Sequence, residues 1–327
     1  MSSNTQTISA NQGNSFPLKN IFEKYGLVLI LIAISGFFGS INGNFFSLYN
    51  IQNIFKQSSI NGLLAFGMTF VILLGCIDLT VGSTLALVGY IAGLMLVKFQ
   101  LPILVVIPAA LALGTILGAV NGVLVAKIKL QPFIATLVTM TIYRGITLII
   151  SNGLPVRGIN KASETMKYIN RGQIANLPIS MIIYLVLFVI IWFILGKTLF
   201  GRHLYATGGN EEAARLSTIP VDKIKIIAYS ISGFLAGLAS ILYISRYNSI
   251  YPNAAQGAEL DAIAAVVIGG TSMSGGRGKI FGTLIGALII GILNNGLNLL
   301  GVSSFYQEVI KGLVILFAVI ADRKKNK

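Results

Sequence analysis

The chain has 327 residues, of which 55% are hydrophobic and only 10% are charged, with a formal net charge of +14 at pH 7. Soluble domains carry about 25% charged residues, and disordered chains are far less hydrophobic, so this composition excludes both classes. Long uninterrupted apolar runs such as 184–195 also exclude the alternating polar and apolar segments of a membrane β-barrel.

The predicted fold class is therefore an all-α, polytopic integral membrane protein in contact with membrane lipid, because helices satisfy every backbone polar group inside a bilayer. The basic residues are scattered through short connections and form no basic face, which argues against a nucleic-acid partner. The chain has one cysteine and one histidine, which are too few for a Cys/His metal site. We therefore predict no bound metal.

A polar segment without charge opens the chain, and residues 1–20 are predicted to be a disordered cytoplasmic tail. Residues 21–327 are predicted to form a single transmembrane domain, because apolar stretches of about 20 residues alternate with short polar connections. The predicted transmembrane helices number about ten on this length criterion. They are residues 26–42, 58–76, 79–97, 103–126, 133–151, 178–196, 224–244, 259–271, 281–300 and 304–321.

The eighth predicted span is the weakest, because Glu259 and Asp261 lie at its start. We expect a short or broken helix that is buried among its neighbours. With this span included, most lysine and arginine residues fall on the side of the membrane that holds the N-terminus. The positive-inside rule then predicts that both termini face the cytoplasm. Of the two long connections, 152–177 would lie outside and 197–223 inside.

Glycines recur at four-residue spacing in several predicted spans. Without a side chain, two helix backbones can approach closely and gain dispersion contacts in lipid. The pattern indicates tight packing of a helical bundle, or alternatively a sliding or dimer seam. The glycines concerned are Gly89 and Gly93, Gly114, Gly118 and Gly122, Gly233 and Gly237, and Gly282 and Gly286.

Ionisable residues at membrane depth are costly and are candidates for function. Arg144 lies in the middle of a span, where it either clamps the structure or lines a path for a solute. Asp78 lies in the break between spans two and three, and its carboxylate is expected to cap the third helix; a gating role remains open. Glu308 and Lys311 are three residues apart on the last span, which predicts an intramembrane ion pair.

Three amide side chains, Asn294, Asn295 and Asn298, share one flank of the ninth predicted span. Amides facing lipid would be expensive, so these side chains are expected to face protein or a water-filled path. They would suit a neutral polyhydroxylated solute, because an amide both donates and accepts hydrogen bonds. The alternative is that they form hydrogen bonds between helices.

The inner connection 197–223 contains a short predicted helix. Asn210 can cap it, Glu211 and Glu212 match the positive end of its dipole, and Pro220 stops it. Such a helix is more than a linker needs and suggests a docking element for a partner. No phosphate-binding loop precedes it, because the run Gly196–Thr198 lacks the earlier glycine of that motif. We predict no catalytic residues, and the chain is not expected to be an enzyme.

At these motifs the chain resembles the permease subunits of ABC importers for ribose and related sugars. The resemblance runs from about residue 45 to the C-terminus, and several separate motifs occur in the right order. The matching segments are residues 75–83, 136–145, 208–217, 259–270, 275–278 and 313–325.

The resemblance implies a permease subunit in the plasma or inner membrane that imports a monosaccharide, D-ribose above others. It also implies a homodimer of this subunit, an extracytoplasmic sugar-binding protein, and a cytoplasmic ABC ATPase that holds ATP and Mg while this chain binds no cofactor. The ATPase would dock on the coupling loop 197–223, where Thr218 replaces a family glycine. The implied coupling residues are Gly209, Asn210, Glu211, Glu212, Ala213, Ala214, Arg215 and Ser217.

An ion-coupled secondary transporter of a small polar solute is the alternative from another class. Such proteins place carboxylates or histidines at the membrane midplane, and they often show inverted repeats. Here mid-span carboxylates are few and no repeat is obvious. A channel is the third possibility, although the chain has no ring of charge and no filter-like segment.

Overall fold

The computed structural model describes residues 17–325, which form a polytopic arrangement of helices with two short pairs of strands. In chain order the elements are α1 (Pro17–Ile41), α2 (Leu48–Leu73), α3 (Val81–Val97), α4 (Ile103–Ala126), α5 (Pro132–Ser151), β1 (Val156–Arg157), α6 (Ile159–Ala162), α7 (Glu164–Arg171), β2 (Gln173–Ile174), β3 (Leu177–Pro178), α8 (Ile179–Lys197), α9 (Leu199–Gly209), α10 (Glu211–Leu216), α11 (Val221–Tyr247), β4 (Ser249–Ile250), α12 (Ala258–Ile268), α13 (Ile280–Leu299) and α14 (Ser304–Lys325).

Every apolar segment predicted as a span lies largely within one of these helices. Within the described part of the chain, α4, α5, α8, α11 and α13 are the five long and apolar enough to cross a membrane by length and composition. Two shorter apolar helices cover Tyr25–Ile41 and Val81–Val97. The prediction of a mainly helical, polytopic membrane protein is therefore confirmed.

Two predicted boundaries are wrong. Residues 17–20 were assigned to a disordered tail, but α1 begins at Pro17, where the fixed φ of proline suits the first helical position. Residues 1–16 of that predicted tail lie outside the described residues. Helix α2 begins ten residues before the predicted apolar span 58–76, because Ser47 caps it by accepting a hydrogen bond from the Asn50 backbone amide.

The eighth predicted span is the short helix α12, as expected. Its 11 residues give a length of about 16 Å, roughly half of the hydrocarbon core of a bilayer. Residues 261–267 are all buried, so this helix is covered by its neighbours. Turns and loops on both sides of α12 complete this part of the chain.

The core is centred on α2, which packs against α11, α12 and α13. The hydrophobic residues buried around α2 include Phe66, whose ring stacks on that of Tyr184 in α8 with the centroids 4.6 Å apart. The outer face of α8 and most of α5 remain exposed. Exposed apolar helices around a buried centre are the arrangement that a lipid environment allows.

The four-residue glycine pattern marks tight packing. A Cβ atom on Gly118 of α4 would collide with the backbone carbonyl of Tyr229 in α11, and one on Gly114 would collide with that of Gly233. On α13, a Cβ atom on Gly286 would collide with the carbonyl of Ala265 in α12. The packing interpretation is therefore confirmed at these positions.

The connection 152–177 folds into two small antiparallel pairs of strands. Strand β1 pairs with β4 in the register Val156↔Ile250, which ties this connection to the end of α11. Strand β2 pairs with β3 in the register Ile174↔Leu177. These pairings hold the segment between α5 and α8 against the helical body.

We expect Gly118→Ala to lower the free energy of unfolding by about 2 kcal/mol or more, because the new methyl group forces α4 and α11 apart. Gly36→Ala in α1 is the matched control, since its Cβ atom meets nothing within 4 Å. The control should leave the free energy of unfolding unchanged or raise it by up to about 1 kcal/mol, because alanine is the better helix former. Thermal unfolding of the detergent-solubilised protein measures both. Equal shifts in the two variants would contradict the packing role of Gly118.

Candidate functional site

A polar cavity of about 180 Å³ lies where α2, α11, α12, α13 and α14 meet. Its walls combine amide groups, one carboxylate and one ammonium group with a few apolar residues. The segment before α12 closes one side. The polar residues that line it are Gln57, Asn61, Tyr243, Gln256, Asp261, Asn294, Asn298, Gln307 and Lys311.

An ion pair forms one wall of the polar cavity. The Lys311 ammonium group lies 3.1 Å from Oδ2 of Asp261, and Nδ2 of Asn294 donates to the same oxygen at 3.1 Å. The Asp261 side chain is only 8% exposed and needs a countercharge. The predicted Glu308–Lys311 pair is therefore wrong: Glu308 is exposed, and Lys311 pairs with the buried carboxylate that α12 brings to it.

The three predicted amides point in different directions. Asn294 lines the polar cavity, and its Oδ1 atom is buried without a hydrogen-bond partner among the described residues. Asn295 instead exchanges two hydrogen bonds of 3.0 Å with Asn50 of α2. Asn298 accepts a hydrogen bond of 2.9 Å from Nε2 of Gln307 and also lines the cavity. The path interpretation thus fits Asn294 and Asn298, and the interhelical one fits Asn295.

A second, more open cavity of about 490 Å³, the amide cleft, adjoins the first. Asn298 lines both cavities. The two cavities therefore meet at Asn298, with Asn44 and Ser47 lining one and the buried Asp261 lining the other. The residues that line the amide cleft are Asn44, Ser47, Tyr49, Asn50, Asn53, Asn295, Asn298 and Leu299.

Arg144 supports the polar cavity from outside. Its Nη1 atom donates to the carbonyl oxygens of Pro252 at 2.9 Å and Ala254 at 2.8 Å. The next residues of that segment, 255–258, form part of the cavity wall. Of the two roles left open for Arg144, the contacts therefore match the clamp.

Asp78 is fully buried at a different place, between α2, α3 and α11. Its Oδ1 atom accepts hydrogen bonds from the Thr80 amide at 2.9 Å and the Thr80 hydroxyl at 2.6 Å. Its Oδ2 atom accepts one from Ser232 at 2.8 Å. The prediction that Asp78 caps α3 is wrong, because the N-cap residue is Thr80 and the Asp78 carboxylate closes a turn before the helix. Asp78 does not line the polar cavity.

The predicted short helix of the inner connection is α10. Oδ1 of Asn210 accepts a hydrogen bond from the Ala213 amide at 2.9 Å, which confirms the predicted cap. Both carboxylates of the first turn, Glu211 and Glu212, are in place. Gly209 ends the preceding helix α9, and Ser217 follows α10 as its C-cap residue.

A network of ion pairs fixes α10 on the start of α11. Glu211 contacts Arg215 at 3.0 Å and Lys225 at 2.7 Å, and Arg215 also contacts Asp222 at 2.6 Å. Partial burial alone would raise the pKa of Glu211, but hydrogen bonds from Lys225 and Arg215 outweigh it and hold this pKa below its usual value. Hydrogen bonds to Asp222 and Glu211 raise the pKa of Arg215. Both shifts favour the charged forms of Glu211 and Arg215.

The opposite face of α10 is free. Ala214 is buried against the protein, whereas Glu212 and Ala213 are exposed. Leu216, the last residue of α10, is 87% exposed. Glu211 and Arg215 therefore position the helix, and Glu212, Ala213 and Leu216 form a surface that a partner can contact.

The end of α10 shows why glycine suits position 218, where this chain has a threonine in place of the glycine expected from the resemblance. The Ile219 amide bonds to the Ala214 carbonyl at 3.1 Å, and the Thr218 amide bonds to the Arg215 carbonyl at 3.0 Å. These two bonds form a Schellman motif, in which the residue after the C-cap is left-handed and is usually glycine. Thr218 has φ +61° there. A β-branched residue in this conformation is strained.

The helix before α10 rests directly on the end of α2. A Cβ atom on Gly208 would collide with the carbonyl of Leu73, and the Gly276 amide donates to that same carbonyl at 2.9 Å. The Tyr205 hydroxyl donates to the carbonyl of Gly278 at 2.9 Å. The glycine-rich loop between α12 and α13 thereby joins α9 and α2.

Sequence reasoning missed five polar residues of the polar cavity: Gln57, Asn61, Tyr243, Gln256 and Gln307. Asp261 was noticed only because it weakens a span. The available signal was the presence of polar residues in otherwise apolar helices, since each must face protein or water. No three His, Cys, Asp or Glu side chains come together as a metal site within residues 17–325.

We expect Lys311→Met to lower the free energy of unfolding by about 2 kcal/mol, because it leaves the Asp261 carboxylate buried without a countercharge. The double variant Asp261→Asn/Lys311→Met should recover most of that loss. Lys167→Met, which breaks an exposed pair with Glu164, is the control and should cost less than about 1 kcal/mol. Thermal unfolding measures all three. An unimproved double variant would contradict the pairing.

Thr218→Gly should stabilise α10, because it removes the strain of a left-handed threonine, about 1–2 kcal/mol. The entropy of glycine offsets part of this gain, which leaves roughly 0.5–1 kcal/mol. The control is Ser217→Gly, at a residue with φ −82° where glycine brings no relief. Hydrogen exchange of the amides in 211–219 measures the change. Equal protection in both variants would contradict the strain.

Comparison with known proteins places this chain in a family. A family model described as branched-chain amino acid transport system / permease component matches residues 50–319. The chain is 49% identical to the ribose import permease of Haemophilus influenzae over 95% of this chain and 97% of that protein. The ribose import permease of Escherichia coli K12 is 49% identical over 98% and 99%, and that of Bacillus subtilis is 51% identical over 92% of each chain.

No solved structure matches the chain. The family match covers most of the sequence, and the relatives align over nearly their full length. The apolar helices agree with the membrane location that a permease requires. The chain therefore belongs to the family of transport-system permease components and is a multi-pass membrane protein.

Proposed function

We propose that this protein is the permease subunit of an ABC importer that carries a monosaccharide, D-ribose above others, into the cytoplasm. The observation that carries the proposal is α10, a capped helix fixed from behind by Glu211 and Arg215 while its free face presents Glu212 and Leu216. A free-standing transporter has no use for such a surface. The ribose import permeases, about half identical to this chain, support the choice of solute.

The proposed topology has ten crossings of the inner membrane, with both termini in the cytoplasm. Residues 21–327 form the permease domain, and the coupling loop 197–223 lies on the cytoplasmic side. The excess of basic residues in the connections on that side supports this orientation. The short helix α12 and its flanking loops then make the eighth crossing.

The proposed partner at α10 is a cytoplasmic ABC ATPase that holds ATP and Mg, so this chain has no catalytic residue and binds no cofactor. Leu216 would fill an apolar pocket of the ATPase, and Glu212 would meet a basic or amide group there. A buried apolar anchor with a polar rim is the usual basis of such contacts. ATP binding acts on transport only through its different affinities for the two states of the complex.

The proposed path of the sugar runs through the amide cleft and the polar cavity. The cavity volume of about 180 Å³ lies below the roughly 300–1,000 Å³ that drug-sized ligands occupy, as a small solute requires. The buried Oδ1 atom of Asn294 can accept a hydrogen bond from a sugar hydroxyl, and Gln57 and Asn61 can donate and accept. A homodimer of this subunit and an extracytoplasmic sugar-binding protein complete the proposed importer.

The alternative of an ion-coupled transporter has one observation in its favour, the buried carboxylates Asp78 and Asp261. Both have partners: Asp78 accepts three hydrogen bonds from Thr80 and Ser232, and Asp261 is paired with Lys311. A proton relay requires a carboxylate that changes its partner, and these are held in place. ATP-driven import therefore remains the proposed function.

Reconstitution of the permease with its ATPase and the binding protein encoded beside it tests the proposal. We expect uptake of labelled ribose that requires ATP. Leu216→Ser combined with Glu212→Gln should abolish uptake and ATPase co-purification. Asn294→Ala should lower uptake roughly five- to thirtyfold while leaving co-purification unchanged, because one lost hydrogen bond to a hydroxyl is worth about 1–2 kcal/mol in a buried site.

Glu164→Gln is the matched control for the docking variant, since Glu164 is exposed on α7 and pairs with the neighbouring Lys167. It should leave uptake and co-purification unchanged. Uphill uptake by the permease alone on an ion gradient would overturn the proposal in favour of a secondary transporter.

A further inference from the structure

A third, very small polar cavity lies where α2, α7, α8 and α11 meet, at the opposite end of α8 from the coupling loop. Its volume is about 10 Å³, which is about one water-sized sphere. Ile60 separates it from the polar cavity and lines both. The polar residues that line the small cavity are Lys56, Asn170, Ser180, Ser245 and Arg246.

Two cations share this small space without a countercharge. Lys56 and Arg246 are both half-buried, and neither forms an ion pair with any carboxylate in the part of the chain that the structure describes. No acidic residue lines the cavity. Like charges that are withdrawn from water repel each other and lose hydration, so this arrangement needs a negative charge from outside the chain.

Two hydrogen-bond donors are also left unused here. The Nη1 atom of Arg246 and the hydroxyl of Ser180 are buried and have no hydrogen-bond partner among the described residues. The guanidinium group of Arg246 also lies 5.3 Å from the centre of the Tyr247 ring, a contact that uses none of its N–H groups. Ser180 is only 6% exposed, so solvent does not satisfy its hydroxyl.

The start of α8 adds to the positive potential. Ser180 is the second residue of this 19-residue helix, and the first turn of a helix carries a partial positive charge and unpaired amide groups. The other two groups come from α2 and from the last turn of α11. Three separate helices thus point positive charge or a donor at one small volume.

We propose that this cavity is a binding site for a single halide-sized anion, chloride, held by Lys56, Arg246 and Ser180. A monatomic anion comes closer to this volume than phosphate or a carboxylate group does, and a water molecule would satisfy the donors without neutralising the two cations. The bound chloride ties α2, α8 and α11 together beside the polar cavity. This inference rests on these contacts alone and does not depend on the proposed sugar transport.

The first test replaces chloride by gluconate at constant ionic strength during thermal unfolding of the detergent-solubilised protein. Chloride should raise the melting temperature by about 2–4 °C. Arg246→Gln, Lys56→Gln and Ser180→Ala should each lose most of this rise. The matched control, Lys161→Gln, removes an exposed cation of α6 and should keep it in full.

The second test is anomalous diffraction from wild-type crystals soaked in bromide. It shows whether an anion occupies the small cavity even if the cation variants fail to fold. We expect an anomalous peak within hydrogen-bond distance of Arg246 Nη1 and Ser180 Oγ. The absence of a peak there, a melting temperature that is independent of chloride, or a chloride effect that persists in Arg246→Gln would each overturn the proposal.

Discussion

The constraint on which this structure depends is that a polar group inside an apolar body must find a partner within the protein. Water is not available there to satisfy it, and an isolated charge is still more costly. Asp261 therefore forms an ion pair with Lys311, and Asn50 accepts a hydrogen bond from Asn295. Arg144 donates hydrogen bonds to two backbone carbonyls. These long-range contacts fix how α2, α5, α12, α13 and α14 lie against one another.

The departures from that constraint are informative. Among the buried polar atoms that lack a partner in residues 17–325, three line the cavities described above: Asn294 Oδ1, Arg246 Nη1 and Ser180 Oγ. Desolvating such an atom costs about 1–3 kcal/mol, a cost that a bound ligand removes. The free acceptor of Asn294 matches a hydroxyl group, whereas the two free donors match an anion.

Much of the fold could be predicted from sequence, because its main signals are local. Apolar runs predict the helix positions, the glycine spacing predicts close helix packing that the structure shows between α4 and α11, and Asn210 predicts the start of α10. The predictions that failed concerned partners. Lys311 was assigned to Glu308 because they are neighbours on one helix, but the contact with Asp261, fifty residues away, wins because that carboxylate is buried.

The candidate site was only partly accessible from sequence for the same reason. Nothing local distinguishes Asn294, which faces the polar cavity, from the adjacent Asn295, which turns to α2. Asp78 was expected to cap a helix, and only the position of Ser232 on α11 shows that it joins two helices instead. The direction of a side chain depends on tertiary packing, which a single sequence does not contain.

The contact of Gly208 with the carbonyl of Leu73 has a mechanical consequence. No side chain lies between the two backbones, so a tilt or slide of α9 also moves the end of α2. Helix α2 has 26 residues and is about 39 Å long, and it bears Gln57 and Asn61 in its middle third. A displacement of α9 is therefore transmitted along this long helix to the two amides that line the polar cavity.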